Sequence, residues 1–119
     1  MAIFAKTYLS NSNGGIPIQV TGTTAAGSVI IHTGPTTTTT VHEVYIYANS
    51  TASTSTTLTL GYGGTGGATQ ITQTIQPQSG LTLVVPGLIL QGSATAKTIS
   101  AWAGAASAIN ITGFVNTIT

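Results

Sequence analysis

The sequence predicts an all-β chain: a single β-sandwich of about seven to nine antiparallel strands behind a short N-terminal segment. Three observations lead there. Thr, Val and Ile dominate the 119 residues, and β-branched side chains suit a pleated sheet while crowding a helix. Gly or Pro clusters recur at Asn13-Gly14-Gly15, Gly34-Pro35, 61–67, 77–80, Pro86-Gly87 and Gly104, and runs of strand length lie between them. Inside those runs apolar residues return with period two, which puts each set on one side of its strand.

Residues 1–15 stand apart from the β-sandwich domain expected over 16–119. Ile3, Phe4 and Tyr8 are apolar, while residues 10–15 have the composition of a linker. The segment reads either as a first strand followed by a turn or as an arm that docks on a neighbouring subunit. From Val41 to Ala48, Val44, Ile46 and Ala48 share the inward face, with Val41, Glu43, Tyr45 and Tyr47 outward. Leu58, Leu60 and Tyr62 form the next set, and Ile71 and Ile75 continue it beyond the glycine loop. Leu81, Leu83 and Val85 follow, then Leu88 and Leu90 past a turn at Pro86-Gly87. Ile99, Ala101 and Ala103 make another set, with Ile109, Ile111 and Val115 the last. Alanines make residues 93–107 resemble a helix, but Thr95, Thr98, Ile99 and Gly104 oppose one.

Composition excludes more than it assigns. Charged residues are 3% of the chain, against roughly 25% in an average domain. A net charge of +1 cannot drive the counterion release on which nucleic-acid binding depends, so no nucleic acid is expected. Every apolar run stops well short of about 18 residues, so no membrane-spanning helix is expected. The first residues place Lys6 after the apolar ones, unlike the usual secretion signal, and a cytoplasmic product beginning near residue 1 is expected. The sequons at Asn49 and Asn110 read as chance in a chain so rich in Thr. With no cysteine there is neither a disulfide framework nor a thiolate metal site.

No catalytic, cofactor or metal site is expected. Residues 61–66 match the G-x-G-x-x-G pattern, but a dinucleotide loop needs a following helix and an acidic residue about twenty positions on. Here a Thr/Gln-rich run follows and no acidic residue occurs after Glu43, so a hairpin loop is expected. His32, His42 and Glu43 could supply two histidines and a carboxylate to a metal. Adjacent strand residues point to opposite faces, so His42 and Glu43 cannot serve one ion, and ordinary hydrogen-bonded histidines are expected. A Ser-His-Asp triad is impossible without Asp, and no G-x-S-x-G elbow lets Glu43 replace it. The Thr-x-Thr pairs at 21/23, 57/59 and 72/74 lack the constant repeat of an ice-binding ladder, their intervals being 36 and 15 residues.

What remains is aromatic surface on a nearly uncharged chain with a mean hydropathy of +0.39. Tyr45 and Tyr47 share an outward face, and Trp102 has the outward parity of a later strand. Aromatic enrichment with charge depletion marks the centre of interfaces. Ile3, Phe4, Tyr8, Tyr45, Tyr47 and Trp102 are therefore the candidate interface residues. Carbohydrate sites also favour an exposed aromatic beside hydrogen-bonding groups, for which Tyr62 or Trp102 are candidates.

The order of Val44-Tyr45-Ile46-Tyr47-Ala48-Asn49, Pro77-Gln78-Ser79-Gly80-Leu81-Thr82-Leu83, Gly87-Leu88-Ile89-Leu90-Gln91-Gly92 and Ile109-Asn110-Ile111-Thr112-Gly113 resembles small virion proteins of tailed bacteriophages of the capsid decoration or cement type. Such proteins often carry an acidic residue after the last glycine, where this chain has Phe114. The resemblance implies a β-sandwich of jelly-roll type, made in the host cytoplasm and placed on the capsid surface. It also implies a trimer bound to the major capsid protein, with no enzymatic role. Removal of residues 1–10 is then expected to leave a folded domain that no longer binds capsids. A tail or fibre module that binds glycans, and a self-assembling filament or surface-layer subunit, are the alternatives.

Overall fold

The computed structural model describes residues 3–119, so the first two residues of the N-terminal segment lie outside the described residues. Nine strands follow one another: β1 (Phe4–Tyr8), β2 (Ile18–Val20), β3 (Val29–Thr33), β4 (Val41–Ser50), β5 (Thr56–Tyr62), β6 (Gln70–Ile75), β7 (Thr82–Gln91), β8 (Thr98–Ala103) and β9 (Ile109–Ile118). The only helical turn among the described residues is a 3-10 turn, Gly67–Thr69, in the glycine loop between β5 and β6.

Pairing is nested about the middle of the chain. β5 pairs with β6, β4 with β7, β3 with β8 and β2 with β9, all antiparallel. Successive pairs fall alternately in two sheets, and the pairings of β9 with β4 and of β8 with β5 complete each sheet. The front sheet has the order β2-β9-β4-β7 and the back sheet β3-β8-β5-β6, with β1 beside β2 on the same edge of β9. This is a jelly roll, a double sheet in which inward side chains of both layers form one core.

The core follows the expected alternation through most of its length. Val44, Ile46, Ala48, Leu58, Leu60, Ile75, Ile99, Ala101, Ile109, Ile111 and Val115 are fully buried, and Ala103 nearly so. Tyr62 and Ile71 are partly buried against them. Each fully buried Leu, Ile or Val contributes roughly 1.5–3 kcal/mol relative to exposure.

Strand β7 departs from expectation. Pro86 and Gly87 do not turn the chain but lie inside one ten-residue strand. Its register against β4 slips twice, between Val44 and Tyr45 and between Ile46 and Tyr47. Two extra residues, Gly87 and Val84, break period two and turn Leu83 outward opposite Tyr47. Of the expected apolar set only Val85 and Leu90 are buried, Leu81 and Leu83 are exposed, and Leu88 is exposed although it stands opposite inward Val44. As a sheet edge, β7 can accept Pro86, whose missing N–H would be costly in a central strand.

The N-terminal segment folds back as β1 on β9 of its own chain, and Ile3 extends the ladder by exchanging two 3.0 Å hydrogen bonds with Thr119. All five β1 residues are exposed, those of inward parity included, so the back sheet does not cover this strand. Residues 9–17 then leave the front sheet and cross to β3. There Leu9 is fully buried, so removal of residues 1–10 would take one side chain out of the core.

Candidate interaction face

The outward side of the front sheet is built from cross-strand rows. Phe4, Ile118, Val41 and Gln91 form the first row, and Lys6, Asn116, Glu43 and Ile89 the second. Tyr8, Phe114, Tyr45 and Pro86 form the third, followed by Thr112, Tyr47 and Leu83. Phe4 (70% exposed), Ile89 (53%), Tyr8 (49%) and Leu83 (47%) give the face a broad apolar surface.

The third row is ordered by its rings. Tyr45 stacks on Phe114 with centroids 4.6 Å apart and planes 17° from parallel, and the Lys6 ammonium lies 4.4 Å from the Phe114 centroid. Offset stacking and a cation over a ring face are both favourable geometries. The Asn116 amide donates to Glu43 Oε1 at 2.9 Å, so Asn116 stands between the only carboxylate side chain and Lys6. Desolvation, and then the Glu43 carboxylate, hold the Tyr45 hydroxyl above its ordinary pKa. Two of the chain's three permanently charged side chains thus share one row of one face, beside its aromatic row.

The structure brings together four of the six candidate interface residues. Phe4, Tyr8, Tyr45 and Tyr47 lie on this face. Ile3 precedes Phe4, and its parity turns it to the other side of the sheet. Trp102 is opposite Thr59 on the outward side of the back sheet, half-buried, with Thr72 next in the row. Thr57 and Thr74 are also opposite each other, so two Thr-x-Thr pairs separated in sequence are neighbours in space. Tyr62 is no platform for a sugar: it has inward parity, donates its hydroxyl to the Leu88 carbonyl at 3.0 Å, and burial pushes its pKa up to about 12. Phe114, Lys6, Asn116 and Ile89 were not among the candidates. Phe114 was reachable, since inward Ile111 and Val115 leave residue 114 outward.

His32 and His42 hydrogen-bond to each other, Nε2 to Nδ1 at 2.8 Å, between β3 and β4 on the inner side of the sandwich. Burial, then the neighbouring His42, lowers the pKa of His32 to about 4, and burial lowers that of His42. Among the described residues no three His, Cys, Asp or Glu side chains converge, and no pocket opens. In comparisons with known proteins, no family model and no curated protein matches the chain. The arrangement on the front sheet is suited to broad surface contact.

Proposed function

We propose that this is a non-enzymatic structural protein of a larger assembly, a decoration or cement protein of a phage head that docks through the outer face of its front sheet. The observation that carries the reading is that face itself: Phe4, Tyr8, Phe114, Tyr45 and Tyr47 lie side by side with Ile89 and Leu83 on a chain with three charged side chains. Free in solution, so apolar and weakly charged a surface favours association. The jelly roll is compatible, since viral capsid domains use it, although a fold alone assigns no function.

The mechanism is mechanical. Many copies, as trimers on the major capsid protein, bury the aromatic face across subunit boundaries, and binding only the assembled shell stabilises it by mass action. Low charge limits repulsion between neighbouring copies. Copy number per purified particle, measured by mass spectrometry, tests the setting: hundreds in simple ratio to the major capsid protein are expected. Absence from particles rejects the virion reading, and a few to a few dozen copies moves the protein to a tail or fibre. Tyr47→Ser and Phe4→Ser tests the face and is expected to abolish capsid binding while Trp102→Ala does not.

A second reading is glycan binding, which the pairing of an aromatic row with the row Lys6, Asn116 and Glu43 favours. Jelly rolls also serve as lectins. Saturable binding of host polysaccharide, lost on Tyr8→Ala, selects it over capsid docking.

A further inference from the structure

Residues 9–17 connect two strands of the front sheet, yet their fastening is to the edge of the back sheet. Four hydrogen bonds hold them there. Asn11 N donates to the Ile31 carbonyl at 3.3 Å, Asn11 Nδ2 to the Ile30 carbonyl, Thr33 N to Ser10 Oγ at 2.7 Å, and Ser10 N to His32 Nδ1 at 3.0 Å. The last bond fixes the chemistry of the histidines. Because His32 Nδ1 accepts an N–H, its proton sits on Nε2 and is donated to His42 Nδ1 at 2.8 Å, which in turn puts the His42 proton on Nε2. One directed relay, from Ser10 N–H through His32 to His42, ties the loop to both sheets.

We propose that this relay is a proton-sensitive clasp, which fastens residues 9–17 at neutral pH and opens when the pair takes up a proton. The relay has no vacant acceptor. A proton on His32 Nδ1 opposes the Ser10 N–H, and a proton on His42 Nδ1 opposes the His32 Nε2–H. His32 cannot yield by changing tautomer, because that again turns an N–H against Ser10. Uptake of one proton therefore breaks one of the two bonds, and His32 is 2% exposed, too buried to be rehydrated in place.

No charge around the pair compensates. On β4, Glu43, Tyr45 and Tyr47 have the opposite parity to His42 and face outward. On β1, Lys6 and Tyr8 do likewise. β3 holds no other titratable group, β7 offers Leu88 and Leu90, β9 offers Thr117 opposite His42, and Lys97 before β8 is exposed. Tyr62 on β5 has its hydroxyl on the Leu88 carbonyl. The lowered pKa values of both histidines agree with this geometry. Opening uncovers Leu9 and the edge of β3, and leaves β1 held by β9 alone.

Amide-exchange protection factors on the full chain at about pH 7.5 and about pH 4 test the clasp. Protection of the Ser10, Asn11 and Thr33 amides is expected to fall about tenfold or more in acid, with Ile46 and Ile111 still protected. In His32→Asn, a side-chain oxygen replaces Nδ1 as acceptor and cannot take up a proton, so Ser10 protection should be nearly the same at both pH values. Ring-nitrogen NMR of the unaltered protein needs no variant. It should show His32 protonated on Nε2, losing that state well below pH 6.5 together with the Ser10 amide signal. Equal loop protection at both pH values, or His32 titrating near 6.5 with the loop still fastened, overturns the proposal.

Discussion

Tyr45 is gripped on two sides, by the Phe114 ring and by the backbone of Gly87. Gly87 is the extra residue of a bulge in β7, with φ at 101°, and a Cβ there meets the Tyr45 ring and hydroxyl at 3.0 Å. Gly87→Ala should therefore cost about 1–3 kcal/mol, from the left-handed backbone and from displacement of the ring. Urea unfolding checks the cost, and the aromatic NMR shifts of Tyr45 and Phe114 check the displacement. An unchanged midpoint with unchanged shifts contradicts this account. Gly113 behaves differently, because a Cβ there runs into the Tyr45 carbonyl oxygen, and backbone in a central ladder has no room to yield. Gly113→Ala should be the more damaging change, read as loss of folded protein at equal expression. At this scale the sequence was most legible where alternation was unbroken: Val44, Ile46 and Ala48 fix inward and outward sides of β4, and with them the place of Tyr45 and Tyr47. It was least legible at Leu83, because the bulge at Val84 reverses parity without any change of residue type.

The elements differ in how their edges are finished, and this decides which parts can be removed. β3 is covered by residues 10 and 11, and β7 is interrupted by Pro86 and two bulges. β1 carries Phe4, Lys6 and Tyr8 along an exposed strand bonded only to β9. Exposed apolar edges are ready to pair, and β1 is such an edge, carrying Phe4 and Tyr8 of the aromatic face. Leu9, one residue later, belongs to the core. Leu9→Ala should cost about 2–5 kcal/mol although it lies in a loop, whereas a chain starting at Leu9 should remain folded. Denaturation midpoints of the two proteins check the contrast, and the reverse order of stability contradicts it. Leu9, Val20 and Ile31 were not legible as core for a common reason. The first is in a connection, the second in a three-residue strand, and the third at the slipped register between Ile30 and His32. None sits in a run long enough to display a period.

For the whole molecule, turn clusters and strand-length runs made the sandwich legible, but the nested pairing that makes it a jelly roll joins segments as distant as β2 and β9. Nothing local encodes that, because a pairing between segments so far apart in the chain is set by which apolar faces meet in the folded sandwich and not by any contiguous run of residues. The same global view gives the response to acid. An average domain loses stability in acid largely through many carboxylates, and this chain has a single carboxylate side chain. Its response is instead dominated by the two histidines, both lowered from the ordinary 6.5 when folded, His32 to about 4. A lowered folded pKa means that the unfolded chain binds protons that the folded chain refuses. Stability is therefore fully present above about pH 6.5, falls as pH drops through the window down to about 4, and levels off below it. The slope in that window should not exceed about 1.4 kcal/mol per pH unit for each histidine. Urea denaturation from pH 8 to pH 3 should trace this step, and His32→Asn should remove most of it. A profile flat through that window in the unaltered protein means that the pair titrates alike folded and unfolded, and that its burial does not control stability.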